Sequence, residues 1–241
     1  MTMWIFCAGM KRAGSTLQYQ LVSHLVEGAG RGSRMPWSPA SEFPGVRRRH
    51  AGSHEWRVFK VHECSPEIAE EVRDRDARAL STVRDLRDVI ASQMLMLGAS
   101  FDQLWSAGFL EECVEHHTAW TALPGVAVTR YEVMIADPVG HTKQIAAQLD
   151  IALTGSQAAA ISAEYSLEKQ RARIANADAA SYRRVRALDK ELSFDPHTLL
   201  HRNHINSGRA GVWAQILSED ERRRVEEAFG GWLVAHGYPV G

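Results

Sequence analysis

Glycines, hydroxyls and positive charges gather between Gly9 and Thr16 of this 241-residue chain, in the order GMKRAGST. The first backbone N–H groups of a helix have no partner within the helix, and the helix dipole adds positive potential there. A phosphate group satisfies both, and Gly14 would let it approach the backbone closely. Ser15 and the following threonine add hydroxyl donors. We therefore predict a phosphate-binding loop, with an ordinary turn between a strand and a helix as the alternative.

The spacing from Gly9 to Gly14 is similar to that of the ATP-binding P-loop, G-x-x-x-x-G-K-[ST], and Thr16 fits its last position. Ser15 stands where the P-loop has the lysine that neutralises the β- and γ-phosphates. This difference argues against an ATPase or a kinase and favours a carrier with different charge placement. A small-molecule kinase stays open as an alternative, as does a non-catalytic nucleotide-binding module on the same fold.

Polar and charged residues also lie at the ends of two further predicted strands. Lys60, His62 and Glu63 lie at the carboxyl end of the strand 56–61. Arg84 follows the strand 77–83, and Ser92 comes about two helical turns later. In an open parallel sheet the carboxyl ends of the strands share one edge, and ligands bind there. The alternative for His62 is a surface histidine at the end of a strand. We expect Asp88 to support the start of the next helix through its charge.

Short apolar runs of strand length at 4–7, 56–61, 77–83 and 126–129 alternate with amphipathic helical patterns, the first of which begins at Ser15. This alternation predicts an α/β fold: a single domain with a central, mostly parallel β-sheet flanked by helices. Ser218 and Glu221 form the capping box of the last helix. Residues 28–54 are predicted to be irregular, with Arg47 to Arg49 in a solvated loop or a flap. The pattern of 179–196 supports no assignment.

Composition excludes several classes of partner. The formal net charge is −1, so no global positive field suggests nucleic acid. Three widely spaced cysteines suggest reduced thiols in the cytoplasm, and no apolar run reaches the length of a membrane span. We expect no metal site, because His116 and His117 are adjacent and point apart on a helix. The set His197, His201 and His204 lacks a nearby cysteine or acid.

Together, four segments resemble the motifs of the sulfotransferases that use 3′-phosphoadenosine-5′-phosphosulfate (PAPS). Arg12 to Thr16 are similar to the 5′-phosphosulfate loop of that family, [KR]-x-G-[TS]-T, and 84–92 looks like its 3′-phosphate motif, an arginine and a serine eight residues apart. Residues 60–62 look like its K-x-H element. Residues 208–213 look like the late G-x-x-G-x-W loop that closes over the 3′-phosphate, and Tyr131-Glu132 resembles a turn near the adenine.

The resemblance covers nearly the whole chain and implies a P-loop NTPase-like sulfotransferase fold, with residues 1–241 as the sulfotransferase domain. It implies PAPS as the co-substrate and no metal. The catalytic residues it implies are His62 as general base, Glu63 as its substitute or orienter, and Lys60 and Arg12 as charge-stabilising groups. The nucleotide-binding residues it implies are Arg12, Ala13, Gly14, Ser15, Thr16, Leu17, Arg84, Ser92, Tyr131, Gly208, Arg209 and Ala210.

The implied reaction moves a sulfuryl group to a hydroxyl or amine of a small-molecule acceptor by in-line displacement. We expect the acceptor pocket to be built from 31–54, 101–120 and 174–201, whose arginines and tryptophans allow a polar metabolite, a carbohydrate or an aromatic alcohol. Neither nucleic acid nor a membrane is an expected partner, and the oligomeric state stays open. Asn206 stands where the family often has a basic residue, and Arg209 is the candidate to replace it.

Overall fold

The computed structural model describes residues 2–74, 77–178, 182–187, 190–203 and 205–241. Its seven strands are β1 (Met3–Gly9), β2 (Gly32–Arg34), β3 (Trp56–Lys60), β4 (Arg78–Val83), β5 (Ala127–Arg130), β6 (Arg183–Ala187) and β7 (Lys190–Phe194). The first five form one sheet in the order β2-β3-β1-β4-β5, and every neighbouring pair is parallel. The predicted α/β class with a central parallel sheet is thus confirmed.

Helices connect and flank these strands. They are α1 (Ser15–Gly28), α2 (Phe43–Arg49), α3 (Pro66–Asp74), α4 (Leu86–Leu97), α5 (Phe101–Ser106), α6 (Phe109–Thr121), α7 (Tyr131–Ala136), α8 (Pro138–Gln148), α9 (Gly155–Glu164), α10 (Leu167–Asn176), α11 (Trp213–Ile216) and α12 (Glu219–Ala235). The predicted capping box forms at α12, where Ser218 accepts from the backbone N–H of Glu221 and Glu221 accepts from that of Ser218.

Strand β1 lies at the centre of the sheet and is covered on both faces. Because side chains alternate along a strand, Trp4 and Phe6 enter one apolar cluster, while Ile5 and Cys7 enter another. This explains why the run is continuously hydrophobic. The chain moves from β1 to β3 on one side and then crosses to β4 on the other. A crevice therefore opens beyond the carboxyl end of β1, where the sequence placed the phosphate loop.

The interpretation of residues 28–54 as irregular is wrong in part. This segment contains β2, a 3₁₀ turn at Ala40–Glu42 and α2, which buries Phe43 and Val46 under the sheet. Arg47 donates to the buried carboxylate of Glu71 at 3.1 Å. The arginines of α2 therefore belong to a helix packed on α3, and none of them lines the cavity described below.

Two helical stretches, at 101–121 and 155–176, are each divided into two helices. A break at Gly108, whose φ is 68°, separates α5 from α6, and Ser166 caps the start of α10 after α9 has ended. In the unassigned stretch, β6 and β7 form an antiparallel hairpin that is separate from the central sheet. Within the described parts of the chain, no helix is both long and apolar enough to cross a membrane.

Candidate active site

A cavity of about 990 Å³ opens at the carboxyl edge of the sheet. It brings together twelve of the predicted site residues: Arg12, Gly14, Ser15, Thr16, Leu17, Lys60, His62, Arg84, Ser92, Tyr131, Gly208 and Arg209. Three predicted residues do not line it. Ala13 is buried in the core, Ala210 is exposed, and Glu63 is exposed beyond the end of β3.

The phosphate loop ends at the first turn of α1. Gly14 precedes this helix with φ 86°, and no side chain caps the free N–H groups that follow it. Ser15 and Thr16 are buried, and both line the cavity. A Cβ at position 14 would overlap the Met134 side chain and lie 2.9 Å from the Tyr131 ring. Glycine is therefore required here, and the uncapped helix start faces a space suited to an anion.

The imidazole of His62 is held from both sides. Its Nδ1 lies 2.7 Å from the carbonyl oxygen of Gly9, and its Nε2 lies 3.2 Å from Nζ of Lys60. A carbonyl only accepts, so Nδ1 carries the proton and Nε2 offers its lone pair. Trp120 donates from Nε1 to the backbone oxygen of His62 at 2.8 Å. Helix α6 thus fixes the position of the histidine, although no residue of 101–120 lines the cavity.

Burial and mutual repulsion lower the pKa values of three basic groups of this site. Burial, followed by the charge of Lys60, holds the pKa of His62 well below its ordinary value. Burial lowers the pKa of Lys60 to about 8, with a further lowering by Arg12. Burial and the neighbouring Arg84 lower the pKa of Arg12 to about 10. The site therefore holds a neutral imidazole beside concentrated positive charge, which an anionic ligand would stabilise.

Arg12 and Ser92, which are 80 positions apart, meet at the floor of the cavity. The Arg12 Nε donates to Oγ of Ser92 at 3.0 Å, and its Nη1 contacts Sδ of Met96 at 2.8 Å. The backbone of Arg12 has a φ of 66°, in the left-handed region that only a tightly held loop imposes on such a residue. The loop and α4 thus present one continuous polar surface.

Arg84 connects three parts of the site. Its Nη1 donates to the carbonyl of Arg12 at 3.1 Å, its Nη2 donates to that of Arg209 at 2.9 Å, and its guanidinium lies 4.2 Å from the centroid of the Tyr131 ring. The Nε atom of Arg84 is buried and has no hydrogen-bond partner among the described residues. A buried guanidinium donor without a partner fits the recognition of a phosphate group.

The segment Gly208–Trp213 lies against α4. Asn206 donates from its side chain to the backbone oxygen of Ser92 at 3.2 Å, while Arg171 donates to the backbone oxygens of Asn206 and Ser207. The side chain of Arg209 is exposed at the rim of the cavity. Arg209 thus accepts a hydrogen bond from Arg84 through its backbone carbonyl, while its guanidinium lies at the opening of the cavity.

The rest of the cavity wall is largely apolar. Of the segments expected to build an acceptor pocket, 31–54 contributes Trp37, and the region from β6 onward contributes most: Val185, Leu192, Phe194, Leu199, Leu200 and His201. The Trp37 and Phe194 rings meet edge to face at 6.2 Å. Burial and the charges of Lys60 and Arg12 lower the pKa of His201 to about 4, so this part of the wall lies near those two cations.

The two histidine sets noted in the sequence have surroundings other than a metal centre in the described residues. Among the residues that the structure describes, no three His, Cys, Asp or Glu side chains are arranged to hold a metal ion. His204 lies outside the described residues. His117 instead pairs with His236 at 3.1 Å between their Nε2 atoms, and His201 lines the cavity.

The sequence profile of the sulfotransferase domain matches residues 4–236. The chain belongs to the sulfotransferase domain family. The predicted family is thereby confirmed, and the match spans nearly all of the sequence. Among curated proteins, none matches this sulfotransferase sequence closely enough to count as a relative.

Solved sulfotransferase-like structures share the fold of this family member. Retinol dehydratase in complex with androsterone and the inactive cofactor PAP is 17% identical, with a TM-score of 0.65 over 99% of this chain and 82% of that chain. Retinol dehydratase in complex with retinol and PAP is 16% identical, with a TM-score of 0.63 over the same shares. Mouse sulfotransferase SULT7A1 complexed with PAP is 18% identical, with a TM-score of 0.65 over 96% of this chain and 84% of that chain. These likenesses confirm the predicted sulfotransferase fold.

Two residues of this sulfotransferase site make contacts that were not predicted. Trp120 was expected only to help build the acceptor pocket, and Asp88 was expected to support the start of α4. Asp88 does lie in the first turn of that helix, which Asp85 caps by accepting from the N–H of Arg87 at 2.9 Å. Asp88 accepts from the backbone of Gly208–Trp213. Its position one helical turn after Arg84 was the signal available in the sequence.

Proposed function

We propose that this chain transfers a sulfuryl group from PAPS to the hydroxyl of a small, largely apolar acceptor, with residues 1–241 acting as one sulfotransferase domain. The observation that carries the proposal is a single cavity lined by the uncapped start of α1, by Lys60 and His62, and by Arg84. An anion site, a neutral base and an apolar wall therefore meet in one space.

The residues present fit a nucleotide with two separate anionic groups. The helix start at Ser15 and Thr16 would hold the 5′-phosphosulfate, because free N–H groups and hydroxyls converge there. The buried Nε of Arg84, together with Ser92, would hold the 3′-phosphate. The retinol dehydratase and SULT7A1 structures contain PAP, 3′-phosphoadenosine-5′-phosphate, which is what remains of PAPS after sulfuryl transfer. This supports PAPS as the co-substrate.

In such a transfer the acceptor oxygen forms a bond to sulfur, while the bond from sulfur to the 5′-phosphate oxygen breaks and PAP leaves with the electron pair. His62 would take the acceptor proton on Nε2, the nitrogen that the Gly9 carbonyl leaves unprotonated. Lys60, 3.2 Å from that nitrogen, would stabilise negative charge on the transferring group. Arg12 would add positive charge from the loop.

An apolar acceptor is favoured by the wall around His62. Trp37, Phe194 and Leu199 line the cavity, together with Leu192 and Leu200. A carbohydrate would leave most of its hydroxyls without partners against such a wall, which is costly. Retinol and androsterone, which retinol dehydratase binds in its structures, are apolar alcohols of this kind.

A thermal-shift titration with PAP, beside AMP and ATP with Mg²⁺, tests the co-substrate. A ligand at about 100 times its Kd stabilises a fold by about 2.7 kcal/mol, which is a measurable rise in Tm. We expect PAP to give the largest shift. A shift with ATP and Mg²⁺ alone would replace this proposal with the kinase alternative. PAP binding without sulfation of any alcohol or phenol would favour a non-catalytic module.

A further inference from the structure

Asp88 lies between Arg84 and the Gly208–Trp213 segment, and its side chain is fully buried on the first turn of α4. Its Oδ2 accepts from the backbone N–H of Gly211 at 2.7 Å, and its Oδ1 accepts from that of Trp213 at 3.0 Å. A single buried carboxylate thus binds both ends of one turn of the segment. Charge-assisted hydrogen bonds of this kind are among the stronger polar contacts in proteins.

Asp88 also lies against the arginine assigned to the 3′-phosphate. Its Oδ2 is 3.4 Å from Nη2 of Arg84, and the same Nη2 donates to the carbonyl of Arg209 within the segment. The two terminal nitrogens of Arg84 are therefore directed toward protein groups, while its buried Nε has no partner among the described residues. Asp88 fixes which edge of the guanidinium is left for a ligand.

The position of the segment depends on these contacts. The φ angles of Gly208 and Gly211 are 70° and 74°, so the backbone passes twice through a conformation that only glycine adopts readily. Arg171 holds the carbonyls just before the segment, and Asp88 holds the N–H groups near its end. These contacts hold the segment against the site through the protein's own side chains, and such preorganisation lowers the entropy cost of binding a ligand.

We infer that Asp88 is the positioning residue for selectivity toward a 3′-phosphate, acting through Arg84 and the Gly208–Trp213 segment. This inference rests on the proposed function. It distinguishes Asp88 from a residue that only stabilises α4, because the cap of that helix is already supplied by Asp85. In the opposite case, Asp88 would compete with the phosphate for the charge of Arg84 and would weaken 3′-phosphate binding.

The experiment compares the Kd of PAP with that of AMP, which lacks the 3′-phosphate, for the wild-type chain and Asp88→Asn. The variant keeps the size of the side chain but cannot accept at both oxygens. Losing two charge-assisted contacts predicts that PAP binding weakens by about 10- to 100-fold. AMP binding should change by less than about 2-fold, because AMP makes no demand on Arg84. Tighter PAP binding, or an equal loss for both ligands, would overturn the inference.

Glu71→Gln is the matched control, since Glu71 is also a buried carboxylate, pairs with Arg47 and lies outside the cavity. It should leave the ratio of the two Kd values unchanged. If Asp88→Asn does not fold, hydrogen exchange of the ligand-free wild type decides: slow exchange at Gly211 and Trp213 supports the inference, and fast exchange overturns it. A wild type that binds no PAP would overturn the proposed function as well, whereas a PAP-binding Asp88→Asn with unchanged selectivity would overturn this inference alone.

Discussion

The carbonyl oxygen of Gly9 lies 2.7 Å from Nδ1 of His62, so the phosphate loop itself determines which nitrogen of the histidine is unprotonated. The two residues are 53 positions apart and come from neighbouring parallel strands, β1 and β3. Any shift of the loop would therefore disturb the tautomer of the proposed base. The proposed anion site and the proposed base therefore form one structural unit.

Replacing His62 with alanine should lower kcat by ~10²–10⁴, the range that loss of a general base gives. The Kd of PAP should stay nearly unchanged, because His62 bonds to Gly9 and Lys60 rather than to the helix start. Steady-state kinetics and a nucleotide titration measure the two effects. His54→Ala, at an exposed histidine outside the cavity, serves as the control. Near-normal turnover in His62→Ala would contradict the assignment of the base.

The value of kcat/KM should decline as the pH rises through about 8, which is the lowered pKa of Lys60 in the free enzyme. Above that pH Lys60 loses the charge that stabilises the transferring group, whereas His62 is already neutral because its pKa is depressed. The acid limb should therefore lie below the ordinary histidine range. Lys60→Arg keeps its charge at these pH values and should move the alkaline limb upward. An alkaline limb that stays in place in Lys60→Arg would mean that another group titrates there.

Gly14→Ala should destabilise the fold by about 1–3 kcal/mol and weaken PAP binding by at least about 10-fold. The added methyl would meet Met134 and Tyr131, and alanine disfavours the φ of 86°. Urea unfolding and nucleotide titration measure the two effects. In Gly28→Ala, at the other end of the same helix, a Cβ meets nothing within 4 Å, so stability should be unchanged or slightly raised. Equal behaviour of the two variants would argue against a close-packed loop.

Trp37→Ala should raise the KM of an apolar alcohol by about 10-fold, because an aromatic wall contact contributes roughly 1.5 kcal/mol. Trp37 is 42% exposed, so the fold should tolerate its loss, and the Kd of PAP should not change. Val234→Ala, at an exposed residue of α12 outside the cavity, is the control. An unchanged KM would place the acceptor elsewhere in the cavity.

The central sheet and the glycine-bounded loop before α1 could be predicted because their signals are local. Residues 4–16 show a buried strand, a glycine-bounded loop and the start of a helix within one short stretch. Strand β2, in contrast, is Gly32–Arg34, three residues without an apolar pattern, and it exists because β3 supplies hydrogen bonds. The β6–β7 hairpin also has a weak sequence pattern. Charged residues alternate irregularly with the few apolar residues that line the cavity.

The different positions of His62 and Glu63 follow from strand geometry. Residues two apart in extended backbone share a face, and His62, two residues after the last residue of β3, keeps its Nε2 3.2 Å from Nζ of Lys60. Glu63 is one residue further on and is exposed. Adjacency in sequence made Glu63 a candidate base, but the alternation of side chains separates it from the cavity. The contacts of Asp88 with the Gly208–Trp213 segment could not be predicted, because they join residues about 125 positions apart.

The β6–β7 hairpin pairs with itself and adds no strand to the sheet that carries Lys60, His62 and Arg84. Three of its residues, Val185, Leu192 and Phe194, nevertheless line the cavity. Part of the surface that would contact the acceptor thus belongs to an element outside the sheet that positions the proposed donor-binding residues. Chimeras in which this hairpin is exchanged between family members should therefore change acceptor selectivity and leave nucleotide affinity unchanged.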